Sequence, residues 1–139
     1  MGKVHLCFYA CSWGILFSHP ADFTPVCTTE LARVVSLAPE FERRGVKMIA
    51  LSIDSVQDHN AWIKDIQAYR DSSDKSLPYP ILADPNRRLA VQLGMLDPKE
   101  KDGTGMPLTA RCVSNACHPL HIWNATSGQY EKILRVVFG

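Results

Sequence analysis

The sequence contains no run of about 18 apolar residues, so no segment of it reads as a membrane span. A block of basic residues is also missing. Acids and bases alternate along the chain and the formal net charge is +1, which argues against a nucleic-acid-binding surface. There are no internal repeats and no low-complexity linker, and 139 residues suit one domain with room for a real core. Cysteine is sparse and unpaired in pattern. Cys7, Cys11, Cys27, Cys112 and Cys117 are odd in number and follow no familiar disulfide spacing, which favours free thiols in a reducing compartment and a cytoplasmic location. The N-terminal "MGKVHLCFYACSWGILF" runs directly into a stretch that reads as a buried strand, so it is not expected to be a cleaved signal. Leu6 stands where a myristoylation signal needs serine or threonine. The sequon at Asn124 would matter only in a secreted protein.

What remains is an average globular composition, 46% apolar and 21% charged. "WGILFS" (Trp13 to Ser18) suits a strand buried on both faces. "PVCTTELARVVSLAPEFERRG" follows as a helix with Leu31, Val34, Val35, Ala38 and Phe41 on its inner face, a kink or break at Pro39 and a stop at Gly45. "VKMIALSID" is a second buried strand. The next helix is "SVQDHNAWIKDIQAY", capped by Asp54 or Ser55, with Ala61, Trp62, Ile66 and Tyr69 inward. "ILAD" reads as a short strand, "PNRRLAVQLGM" as a helix opening on proline, "DPKEKDGTG" as a polar turn, "MPLTARCV" as a strand and "YEKILRVV" as a closing amphipathic helix. Strands alternating with helices predict an α/β fold with a central, largely parallel sheet. Sites in such sheets gather beyond the carboxyl ends of the strands, and the loop after the first strand holds "HPADFTPVC".

Thr24 and Pro25 read as an N-cap followed by proline at the first helical position. Cys27 is then the third helical residue. Its thiol would sit in the first turn beside Thr24, facing unpaired N–H groups and the positive end of the helix dipole. Helix N-termini are among the places where cysteine ionises below its usual value of about 8.5, and the thiolate is the form that attacks peroxides. A buried structural cysteine remains the competing reading.

Pro20, Thr24 and Cys27 fit P-x-x-x-T-x-x-C, and with "SWGILFSHPADFTPVCTTEL", "LSIDS", "LGMLDP", "MPLTAR" and "KILRVV" the chain resembles the peroxiredoxins, in particular the one-cysteine class of the peroxiredoxin 6 type. The resemblance implies a thioredoxin-like fold and a thiol peroxidase acting on hydrogen peroxide and organic or lipid hydroperoxides. It makes Cys27 the peroxidatic cysteine, oxidised to a sulfenic acid. Thr24 would hydrogen-bond the thiolate and the peroxide oxygen, and Pro20 would shield the sulfenic acid from water. Arg111 would stabilise the thiolate and the charge that develops as the O–O bond breaks. His19 matches the histidine beside the motif and either orients the pocket or packs as a core histidine. No bound cofactor or metal is implied. Glutathione, delivered by a pi-class glutathione S-transferase, would be the external reductant, and a homodimer is the family's assembly.

The chain also departs from the family pattern. The segment before Ser12 does not match, and "CVSNACHPLHIWN" is shorter and more polar than the family's strand–turn–strand, which puts two sheet strands in question. Residues 1–139 are expected to form one thioredoxin-like domain in a truncated or variant form, without the family's C-terminal domain. The lipase-like serine motif of this class is matched by "ACSWG", where Ala10 replaces the first glycine. His5 is one position out of place and no acid stands in "ACHPL", so Ser12 is not expected to support phospholipase activity. Cys112, Cys117, His118 and His121 fit no common zinc spacing. A non-catalytic thioredoxin-fold remnant that binds partners is the alternative function.

Overall fold

In the computed structural model, which describes residues 13–70, 76–116, 121–124 and 129–132, the apolar run Trp13–Ser18 forms strand β1 at the middle of a sheet. β1 pairs in parallel with β2 (Val46–Ser52), and β2 in parallel with β3 (Ile81–Ala83). On its other side β1 pairs antiparallel with β6 (Cys112–Ala116), followed by β7 (His121–Asn124) and β8 (Gln129–Lys132). The order is β3-β2-β1-β6-β7-β8. The sheet is mixed: β1, β2, β3 and β7 run one way, β6 and β8 the other.

The two-residue period of the strands sorts their side chains onto two faces. Ile15, Phe17, Met48, Ala50 and Ile81 pack with helix α1 (Pro25–Arg43) and helix α2 (Val56–Tyr69), through Leu31, Ala32, Val35, Ala38, Trp62 and Ile66. Leu16, Leu51 and Leu82 face the opposite way, toward Leu89, Leu93, Met95, Ala110 and Cys112. This second face is covered by helix α3 (Arg88–Gln92) and the corner that follows the two-stranded ribbon of β4 (Leu96–Lys101) and β5 (Pro107–Thr109). No helix among the described residues is long and apolar enough to cross a membrane.

α1 ends as its sequence predicts, with Gly45 at φ +67 donating back to Glu42. It does not break at Pro39, which lies inside a continuous helix. The missing proline N–H costs one bond near the last turn, and the buried stripe holds the helix on both sides of it. α2 starts at a capping box in which Ser55 and Asp58 satisfy each other's backbone N–H groups. Trp62 and Ile66 are inward as expected, whereas Ala61 and Tyr69 are exposed and His59 and Gln67 take the buried positions.

Four further expectations change. The helix predicted from Pro85 shrinks to Arg88–Gln92, because Asp84 caps it from a distance through the N–H groups of Leu89 and Ala90 while Arg87 turns left-handed at φ 59. The polar "DPKEK" is a strand rather than a turn. It lies in a two-stranded ribbon with most of its side chains in water, so it shows no apolar alternation. "MPLTARCV" is two strands in two sheets, parted by a corner at Ala110 and Arg111. The two strands questioned after Arg111 both form, as β6 and β7. Of the expected closing helix, Tyr130 to Lys132 belong to β8, and the rest lies outside the described residues.

Candidate active site

The loop from β1 to α1 leaves the sheet at the carboxyl end of a central parallel strand, where α/β folds build their sites. Phe23, a non-glycine residue at φ 59, turns the chain into the helix. Thr24 is the N-cap in extended conformation and Pro25 opens the helix, which puts Cys27 at the third helical position. Cys27 has no exposed surface.

The cap differs from expectation in one respect. The Thr24 hydroxyl makes no cap hydrogen bond and instead donates to the Ala21 carbonyl at 3.2 Å. It therefore leaves the first-turn N–H groups without a side-chain cap from Thr24. The Thr24 carbonyl accepts from the Thr28 N–H at 2.9 Å and from the Thr28 hydroxyl at 2.8 Å. The Thr28 oxygen in turn accepts from the indole N–H of Trp62 at 3.0 Å. α2 thus braces the start of α1.

Arg111 reaches the same helix from the far end of the chain. Ser18 donates to the Ala110 carbonyl at 2.6 Å, and Ser18 pairs with Cys112 in the ladder. The corner between them projects Arg111 beyond the end of β1, where its Nη1 donates to Glu30 Oε2. Glu30 lies three residues after Cys27, on the same side of α1. The structure therefore brings Arg111 to the thiol's helix through an acid that sequence reading passed over, although the three-residue step was visible.

His19 is buried, with Nε2 2.8 Å from Asp22 Oδ1 and its ring 5.0 Å from that of Trp62. Asp22 is also held by His59, whose Nδ1 lies 2.5 Å from Oδ2. The other nitrogen of His59 faces the Leu82 carbonyl at 3.2 Å. The Asp22 N–H donates to Asp54 Oδ2 at 2.9 Å, and Ser52 donates to the same oxygen at 2.8 Å. Burial pushes the Asp22 carboxyl up, but the hydrogen bonds from His19 and His59 outweigh it and hold the group below the ordinary carboxylate range. Asp22 and His59 were not predicted as site residues. The spacing of His59, Trp62 and Ile66 along α2 was the available signal.

Pro20 is half-buried in the loop between His19 and Asp22. His19, Asp22 and Asp54 offer ligand atoms within 4.8 Å of one another, yet these atoms already serve the network just described, which fits the donor set better than a cation does. Cys112 is a free, buried thiol in the second core face. Ser12, His5, Cys7, Cys11, Cys117 and His118 lie outside the described residues.

A thiol in the first turn of a helix, at the end of a central strand of a mixed sheet and with an arginine brought to that helix, defines a thioredoxin-like protein. Residues 1–117 match the AhpC/TSA family, and the chain belongs to that family. It is 60% identical over 137 residues to peroxiredoxin-6 of Gallus gallus, covering 94% of this chain and 61% of that protein. The chain thus spans about three fifths of the length of that relative. Among solved structures, a cysteine-to-serine mutant of the peroxiredoxin 6 of Arenicola marina superposes with a TM-score of 0.75 at 54% identity, over 79% of this chain and 50% of that one. A yeast mitochondrial one-cysteine peroxiredoxin, described with its thiol resolving through glutathione and thioredoxin systems, gives 0.69 at 40% identity over 78% and 51%.

Proposed function

We propose that the chain is a thiol-dependent peroxidase that reduces hydrogen peroxide and organic or lipid hydroperoxides through Cys27. The observation that carries this reading is the placement of Cys27 in the uncapped first turn of α1 with Arg111 held to the same helix by Glu30. In the reaction the Cys27 thiolate attacks one peroxide oxygen, the S–O bond forms and the O–O bond breaks. The leaving oxygen departs as alkoxide or hydroxide, takes a proton and becomes alcohol or water. Developing negative charge lies near the helix N-terminus, which favours it, and Arg111 adds a fixed cation. Thr24 sits at the turn, and its hydroxyl, which donates to the Ala21 carbonyl in this structure, would turn toward the substrate oxygen. Pro20 contributes a rigid, donor-free wall against water.

Cys27 is left as a sulfenic acid. A glutathione thiol attacks its sulfur, water leaves and a mixed disulfide forms, which a second thiol resolves to regenerate Cys27. The peroxiredoxin that resolves through glutathione and thioredoxin systems supports such an external reductant. Delivery by a pi-class glutathione S-transferase, homodimer formation and an antioxidant role in the cytoplasm complete the reading by resemblance. No bound cofactor is required. Phospholipase chemistry is no part of it, since the sequence around Ser12 lacks the first glycine and the acid of the lipase-like motif.

Stopped-flow oxidation of the purified chain by hydrogen peroxide tests the assignment. Wild type should oxidise rapidly with a sulfenic acid trapped at Cys27, and Cys27→Ser should be inert. Equal, slow consumption by both would leave a non-catalytic thioredoxin-fold remnant as the better description.

A further inference from the structure

His19 carries the structure's most informative orphan. Its Nδ1 is buried and has no hydrogen-bond partner among the described residues, whereas Nε2 lies 2.8 Å from Asp22 Oδ1. Leaving a buried polar atom unpaired costs free energy, so such an atom in an ordered site calls for a ligand or a task. The carboxylate of Asp22 can only accept, which requires a proton on Nε2 of His19. A neutral imidazole protonated at Nε2 has a bare lone pair on Nδ1. Which nitrogen carries the proton is therefore set by Asp22 and not by the pocket.

Asp22 itself is not free to turn. His59 holds Oδ2 at 2.5 Å, the Ser52 hydroxyl approaches Oδ1 at 3.4 Å, and the backbone N–H of Asp22 is tied to Asp54. The ring of His19 is braced by Trp62, which belongs to the same buried cluster as Cys27 and also ties Thr28 in the first turn of α1. A carboxylate clasped between two imidazoles, one of them anchored to the Leu82 carbonyl, is a device for fixing orientation and tautomer, the role that a buried aspartate plays for histidine in hydrolase triads.

We infer that Asp22 and His59 are positioning residues that lock His19 in the Nε2–H form and present its Nδ1 as a bare acceptor to the chemistry at Cys27. The inference rests on the peroxidase reading for its use, but not for its geometry. Neither residue touches substrate. Their effect passes through His19.

The test is nitrogen-15 imidazole NMR of the full reduced chain, paired with stopped-flow oxidation of Cys27 by hydrogen peroxide. Wild-type His19 should show a single neutral form protonated at Nε2. Asp22→Asn, whose amide must offer a donor to one of the two rings, should disturb that form and slow oxidation by about tenfold or more. His59→Leu, which removes one clamp but keeps the carboxylate, should loosen it with a smaller loss. Protonation of wild-type His19 at Nδ1, or rapid exchange between the two forms, overturns the inference without any variant. A fixed tautomer with unchanged oxidation in whichever variant folds overturns the positioning role. Should wild-type Cys27 fail to oxidise at all, the peroxidase reading falls, while the spectrum still decides the tautomer.

Discussion

Arg111 and Glu30 are 81 positions apart, yet a guanidinium nitrogen of the first donates to a carboxylate oxygen of the second. Glu30 stands three residues beyond Cys27 on α1, and Arg111 stands at the corner where β5 gives way to β6. Both side chains are close to half exposed. A pair in that setting adds under about 1 kcal/mol to stability. Its consequence is positional: a long cation is held beside the helix that carries the thiol.

Glu30→Gln should therefore change the unfolding free energy by less than about 1 kcal/mol while slowing peroxide oxidation of Cys27. Arg111→Met should slow it further, on the order of a hundredfold, the loss typical of removing one preorganised electrostatic partner. Stopped-flow traces and urea curves on the same preparations separate the two effects. An Arg111→Met variant that oxidises at the wild-type rate would sink the role assigned to this residue.

Trp62 has no exposed surface and joins three parts of the site, through its ring to His19 and Phe23 and through its N–H to Thr28. Trp62→Ala should cost about 3–5 kcal/mol, as buried aromatic truncations do, a large share of the roughly 5–15 kcal/mol that holds a domain folded. Trp62→Phe should cost under about 2 kcal/mol, because the Thr28 hydroxyl keeps its own bond to Thr24. Urea denaturation gives both values. A loss for Phe as large as that for Ala would show that the hydrogen bond, which both variants lack, matters more than the volume.

The residues of the thiol loop were legible because their signals are local. Thr24-Pro25 announces a helix start in any fold, and Cys27 follows by counting. β1, β2, α1 and α2 were legible because buried stripes repeat at the right period. β4 was not, since a ribbon with solvated side chains has no stripe to read. Tyr130 to Lys132 fit an amphipathic helix but pair with β7, a case of tertiary pairing overriding local preference. The partners Glu30, Asp22 and His59 were hidden for a different reason. Their roles come from contacts across 81, 3 and 37 positions, and sequence spacing carries no sign of the long ones.

Ser55 accepts from the Asp58 N–H at 3.1 Å, and Asp58 accepts from the Ser55 N–H at 3.2 Å. Ser55→Ala removes half of this box and should destabilise the chain by about 1 kcal/mol. α2 also carries His59 and Trp62, so a frayed start should raise amide exchange in its first turn before it affects the rest. Hydrogen exchange read by mass spectrometry checks that order. Uniform exchange along α2 would mean the cap is redundant.

Asp102 ties the ribbon to α3. One of its oxygens accepts from the Thr104 hydroxyl and from the N–H groups of Thr104 and Met106, and the other from Arg87 at 2.6 Å. The Thr104 hydroxyl and the Met106 N–H, helped by Thr104 N–H and Arg87 against a small opposing effect of burial, hold its carboxyl at about 2, below the ordinary 3.8. A carboxyl lowered on folding stabilises the native state above its unfolded value. That stabilisation fades as the pH falls from about 4 toward 2, where the folded carboxyl takes up its proton. Asp22, also lowered on folding, acts in the same direction. The urea midpoint of the wild type should thus fall as the pH drops through this window, and Asp102→Asn should fall less steeply because it has no proton to gain there. Parallel curves for the two proteins would show that Asp102 binds its proton equally in the folded and unfolded chains.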